Sequence, residues 1–212
     1  MIYVENRKCK IESVQKRHPG ARIFDLTSNS QDKLDGLYLV AFSPFCPHGG
    51  IPVPPSGKMK SQCVEGVWQG LKVFDHSGVD VESFRNTTMK NLKRTVRTFG
   101  KPLGHQYGDE LLGYFDARMK IYIPTYRYVL ENVQRVKALI EKIREIAKTQ
   151  DVVFLDYETN TDVRDCRTPL SHAGLVKLFI EGKYPEYDPE MKEYTRDELA
   201  ALAAANRRRR RK

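Results

Sequence analysis

The chain has 212 residues, 40% of them hydrophobic and 30% charged, with a formal net charge of +9. That length fits one domain, or one domain with a tail, and the apolar share supports a buried core. No apolar run approaches the ~18 residues of a membrane span, and Cys9, Cys46, Cys63 and Cys166 never stand in the Cys-x-x-Cys spacing of a zinc site, so neither a membrane nor a metal is expected as partner.

In chain order, Ile2 to Val4 reads as a strand, Lys10 to Lys16 as a helix or second strand, and His18-Pro19-Gly20 as a turn before a strand over Ala21 to Leu26. The first residues lack the basic and apolar blocks of a secretory signal, and the scattered thiols suit a reducing, cytoplasmic setting. Leu37 to Phe42 is a short apolar run with the pattern of a buried strand. It enters Ser43-Pro44-Phe45-Cys46-Pro47-His48-Gly49-Gly50, a stretch too rich in Gly and Pro for helix. Ser56 to Ser61 reads as a hairpin tip.

Cys63 to Phe74 reads as a helix with two faces. Val64, Val67, Leu71 and Phe74 form an apolar stripe, while Glu65, Gln69 and Lys72 recur at i, i+4 and i+7, with Trp68 beside them. The polar row is either a solvated ladder or one wall of a site. Gly66 and Gly70 lie inside this helix at a cost of about 1 kcal/mol each. Four apart, they bare a strip of backbone for close approach of another segment or a ligand. Cys46 and Cys63 flank this region, as reactive thiols or as inert buried ones.

Arg85 to Phe99 carries Met89, Leu92, Val96 and Phe99 at helical spacing, with Arg85, Lys90, Lys93, Arg94 and Arg97 and no acidic residue between them. It is either an amphipathic helix with a solvated basic face or a phosphate-contacting helix. Gly100 to Gly108 reads as a stiff loop whose His105 is a ligand-contacting base or a structural histidine. Leu111 to Met119 and Ile121 to Leu130 read as helices interrupted at Pro124, and Asn132 to Lys148 as a helix with Val136, Leu139, Ile140 and Ile143 inward. Val152 to Leu155 is a strand delivering Asp156 and Glu158, two carboxylates on one face. Pro169 to Leu175 opens a last helix with Ser171 as cap. From Glu186 the composition shifts: Thr195 and Glu198 form a capping box before an Ala-rich helix that runs into arginines. Arg207 to Arg211 and Lys212 supply six of the nine net charges, a footprint for a polyanion. The reading is α+β: a single domain over 1–185, mainly helices around a small mixed β-sheet, and a basic C-terminal arm over 186–212.

Ser43, Phe45 and Pro47, followed by Val64, Glu65, Trp68, Gln69 and Lys72, resemble in order and spacing the signature of the NADAR superfamily. Pro44 and Gly66 stand where that pattern has Asn and His. The resemblance implies action on ADP-ribose-type N-glycosides, with some members removing ADP-ribose from guanine in DNA, and needs no cofactor. It carries over Ser43 and Phe45, the Glu65–Lys72 row and Arg118, and fits Asp156 or Glu158 to a late acidic position. A carboxylate, an amide and an amine in a row suit such cleavage. Glu65 serves as acid–base or electrostatic carboxylate, and Lys72 as an amine for the opened sugar or a cation holding it. Gln69 orients ribose hydroxyls, Trp68 and Phe45 stack on a base, and Asp156 and Glu158 are second carboxylates. The expected substrate is ADP-ribosylated nucleic acid, DNA by preference, gripped by Lys90, Lys93, Arg94, Arg97, Arg207, Arg208 and Arg209. The alternatives are a basic nucleic-acid-binding protein without chemistry and an ADP-ribose reader.

Overall fold

The structure, a computed structural model, describes the backbone of residues 1–209 and the side chains of residues 1–205. Ile2–Asn6 (β1) leads to Ile11–Arg17 (α1) and Arg22–Asp25 (β2). Two short hairpins follow: Lys33–Leu34 (β3) with Leu37–Tyr38 (β4), then Ile51–Pro52 (β5) with Lys60–Ser61 (β6). Next come Val64–Leu71 (α2), Lys72–Phe74 (β7), Val96–Phe99 (α3), Pro102–Tyr107 (β8) and Glu110–Leu112 (β9). Tyr114–Ala117 (α4), a π-turn over Arg118–Tyr122 and Ile123–Asn132 (α5) run on from one another. Gln134–Thr149 (α6) returns to Val152–Asp156 (β10), and His172–Ile180 (α7) and Arg196–Arg209 (α8) complete the order. The class is α+β.

β10 lies between β1 and β2, parallel to both. All five of its residues are buried, as a central strand covered on both faces requires. Alternation splits them: Val152 and Phe154 join the main core with residues of α5, α6 and α7, while Val153 and Leu155 pack with Val14 of α1. Three parallel strands end on the same side, and ligands of such sheets collect there. The segments leaving that edge carry Ser28 after β2 and Asp156, Tyr157 and Glu158 at the end of β10. A second, antiparallel sheet is ordered β7-β8-β9. The expected small mixed sheet is thus divided between these two three-stranded sheets of unlike sense, beside the two hairpins.

Four expected elements differ. Leu37 to Phe42 is strand only at Leu37–Tyr38; Leu39–Phe42 tightens into a 3₁₀ turn. That turn sends Leu39, Ala41 and Phe42 into one core, whereas a strand would divide Ala41 and Phe42 between faces. The basic helix over Arg85 to Phe99 is absent. Asn86 accepts the Thr88 N–H at 2.9 Å and donates to the Lys90 carbonyl at 2.8 Å, and Met89 and Asn91 take φ of 59° and 60°. Turn chemistry outweighs the apolar period there, leaving helix only at Val96–Phe99. Gly100 to Gly108 is mostly strand β8 rather than loop. Gly104 is needed for close approach, since a Cβ there would lie 2.5 Å from the Leu112 carbonyl oxygen. Finally, Leu111 and Leu112 belong to β9, and the helix after them is not broken at Pro124. Helix continues through Pro124, and the irregularity is the π-turn just before it.

Candidate active site

α2 is the wall on which the site is built. The Cys63 sulfur accepts the Gly66 N–H at 3.2 Å, capping its start. Gly66 and Gly70 face the segment around Asp80–Arg85: a Cβ on Gly70 would lie 2.2 Å from Phe84 and one on Gly66 2.6 Å from the Ser83 carbonyl. The bared strip therefore receives a chain segment, and Glu65, Trp68 and Gln69 are left to the other side. The helix ends at Leu71, earlier than its apolar stripe suggests, so Lys72 starts β7 and pairs with His105. Arg94 fixes that ending. Its guanidinium donates to the Gln69 and Lys72 carbonyls at 3.1 and 2.5 Å and to Ser77 and Gly78, and lies against the rings of Phe74 and Phe99. It is 7% exposed, which corrects its assignment as a phosphate contact.

The α2 face opens on a cleft of about 420 Å³. Of the expected residues, Phe45, Glu65, Trp68, Gln69, Lys72, Lys93, Arg118, Asp156 and Glu158 all line it. Ser43 and His105 do not. Ser43 is buried behind the wall, where its hydroxyl meets Ser28 at 2.7 Å and accepts the Phe45 N–H. The neighbouring Pro44 carbonyl accepts the Glu65 N–H at 2.8 Å, tying the proline-stiffened loop to α2. His105 stacks behind Trp68 at 3.8 Å between centroids. Burial, helped by the Lys72 charge, pushes it down to about 3, so it is a neutral prop and no base near neutral pH. Lys90 on the irregular segment beside Lys93 and Arg97 in α3 are exposed, while the side chains of Arg207, Arg208 and Arg209 lie outside the described residues.

Two carboxylates of the cleft differ in state. Glu65 is 9% exposed, and its Oε1 accepts one hydrogen bond from the Gln69 amide at 2.8 Å. Gln69 is held in turn by the Arg94 N–H on its Oε1 at 3.2 Å. Burial raises the Glu65 pKa against the pull of Gln69, Lys93 and Lys72. Burial lowers the Lys72 pKa, with Arg94 adding to it and Glu65 opposing. Acid and amine are both displaced toward their neutral forms. Asp156 is buried too, yet it is held at about 2: burial would raise it, but His172 and the donors around it prevail. Its Oδ2 accepts from Ser171 at 2.7 Å and from the Ala173 N–H at 3.3 Å, and lies 3.1 Å from His172 Nδ1. The other His172 nitrogen lies 2.8 Å from the Leu26 carbonyl. Two acceptors on one imidazole require two N–H groups, so His172 is the imidazolium. Asp156 is a structural anion at the cleft floor, and Glu158, half-buried at the rim, is the freer second carboxylate.

Arg118 lines the cleft but is 2% exposed and spends its guanidinium on the carbonyls of Val163, Asp165 and Thr168 and on the Tyr114 hydroxyl. It pins the loop between β10 and α7. Sequence reasoning missed Tyr114, Tyr122, Tyr157 and His172, all of which line the cleft. The sequence signal for His172 was its place beside the Ser171 cap, opposite the end of an apolar strand. Two larger and more open hollows, one near Lys120 and Tyr187 and one near Arg7 and Asp25, lack such a buried acid–amine pair. Among the described residues no three His, Cys, Asp or Glu side chains are grouped to hold a metal, and no helix is long and apolar enough to cross a membrane.

An α+β protein with an aromatic cleft at the carboxyl edge of a parallel sheet, holding a buried acid beside an amine, is the class these features define. Residues 6–176 match the family of unknown function DUF6939, and the chain belongs to that family. No curated protein matches the chain.

Proposed function

We propose that the protein is an N-glycosidase that hydrolyses an ADP-ribose-type N-glycosidic bond, with ADP-ribosylated guanine in DNA as the favoured substrate. The observation that carries the reading is the pairing, in one cleft, of a carboxyl shifted up and an amine shifted down by burial. Glu65, whose pKa is raised by burial, in its acid form gives its proton to the departing base as the C1–N bond breaks and its electron pair leaves with the base. The carboxylate then takes a proton from the water whose oxygen bonds C1. Lys72 lies where it can hold the sugar or, as a neutral amine, capture the C1 aldehyde of the opened ribose as an imine with loss of water. Phe45 and Trp68 offer faces for the base. The likeness of the Ser43–Lys72 stretch to the NADAR signature agrees with this chemistry. The preference for DNA rests on Lys93 at the cleft wall with Lys90 and Arg97 exposed close by in the chain. All four cysteines are free, in accord with a reducing, cytoplasmic setting.

Incubation with ADP-ribosylated guanosine, alone and in DNA, scored for free ADP-ribose by mass spectrometry, tests the reading. Glu65→Gln and Lys72→Ala are each expected to reduce release at least about 100-fold, the scale of a lost acid or nucleophile. Turnover like wild type in both variants removes these roles. The exposed cations also favour a second reading, a nucleic-acid binder without chemistry. That reading expects steeply salt-dependent binding to unmodified DNA that is indifferent to Glu65→Gln and no released ADP-ribose.

A further inference from the structure

The π-turn over Arg118–Tyr122 is the one wide turn in the helix that runs past α2, and such turns are frequent at functional sites. It brings Tyr122 to the lining of the cleft that Glu65 also lines. The ring is fixed on two sides, edge-on to Trp68 at 5.6 Å and stacked on Tyr126 at 6.2 Å with the planes 5° apart. The neighbouring tyrosines use their hydroxyls in the fold. Tyr126 donates to the Phe42 carbonyl, Tyr184 donates to the Ile123 carbonyl, and Tyr114 accepts from Arg118. Among the described residues the Tyr122 hydroxyl has no such partner, although its ring is held in place. On Glu65 the amide of Gln69 occupies Oε1, and among the described residues Oε2 is likewise unpartnered.

We propose that Tyr122 is a catalytic residue: its hydroxyl donates a hydrogen bond to an acceptor atom of the departing base while Glu65, in the same cleft, supplies the proton. The inference rests on the glycosidase reading. Negative charge grows on the base as the C–N bonding pair moves onto it, and a donor fixed in a partly dry site stabilises that charge more than it stabilises the ground state. The phenol keeps its proton throughout. Burial holds the Tyr122 pKa well above its ordinary value, which suits a hydrogen-bond donor and not a base. The ligand class is therefore a heteroaromatic base with an acceptor beside the scissile bond, joined to an ADP-ribose-type sugar.

Tyr122→Phe removes the oxygen and keeps the ring that Trp68 and Tyr126 pack against. With ADP-ribosylated guanosine as substrate, kcat is expected to fall about 10- to 100-fold, more than any rise in KM, with the melting temperature close to wild type. A kcat within about threefold of wild type overturns the proposal, as does a loss of activity that merely follows a lowered melting temperature. If wild type releases no ADP-ribose, the glycosidase reading itself fails. The same nucleoside is then titrated against the fluorescence of Trp68, the only tryptophan in the chain. Binding weakened at least about threefold by Tyr122→Phe supports the hydroxyl contact, and equal or absent binding overturns it.

Discussion

Glu65 and Asp156 are both nearly out of solvent and both face the same cleft, yet burial leaves them in opposite states. Asp156 gathers a hydroxyl, a backbone N–H at the start of α7 and an imidazolium. Glu65 has one neutral amide on one oxygen. The donors at Asp156 outweigh the loss of water; a single amide at Glu65 does not. A carboxylate whose lone pairs are taken up by the fold is committed to the fold. One with an open oxygen and a raised pKa is available for proton transfer. Equal burial and equal nearness to a cleft thus say little about role until the partners are counted.

The sharpest way to break this contrast is to remove Asp156. Asp156→Ala leaves the His172 imidazolium buried without its anion, and is expected to lower stability by about 3–5 kcal/mol, read from denaturant midpoints. A loss below about 1 kcal/mol would place Asp156 with Glu65 as a free acid. The second test is pH. Asp156 is depressed, so its contribution is full above its ordinary 3.8 and lost as pH falls through about 2. His172 is raised, so its contribution is full below its ordinary 6.5 and lost as pH rises through its elevated folded value. The pair therefore stabilises most between 3.8 and 6.5. Unfolding midpoints are expected to peak near about pH 5 and to lose that peak in His172→Gln. The smallest effect has the opposite sign. Glu65 is raised, so its ionised form costs stability at neutral pH, and Glu65→Gln is expected to be neutral or stabilising by under about 1 kcal/mol. A clear destabilisation would mean that its carboxylate is held by the fold as Asp156 is.

How much of this could be read beforehand depends on how local the cause was. Val152 to Leu155 announced a central strand because burial on both faces demands an unbroken apolar run. Val136, Leu139, Ile140 and Ile143 marked the inner face of α6 for the same kind of reason. The residues of the cleft were mostly visible too, since Glu65, Trp68 and Gln69 share a helix face. Lys72 reached the cleft by another route, from a strand, because the helix end is set by an arginine 22 residues away. Segment 86–95 misled for a related reason. Its apolar spacing was helical, but its asparagine turn and the burial of Leu92 and Arg94 against α2 and β7 are tertiary facts. The π-turn that presents Tyr122 left no pattern distinguishable from an ordinary helix period.

Arg94 gives the cleft an unusual dependency. Its backbone N–H sets the Gln69 amide that touches Glu65, and its guanidinium grips the carbonyls of Gln69 and Lys72. One side chain thereby acts as the gauge block between proton donor and amine, from a strip of irregular chain whose exposed neighbours, Lys90 and Arg97, lie open to a passing polyanion. Whatever settles on that strip presses on the same part that spaces the reacting groups.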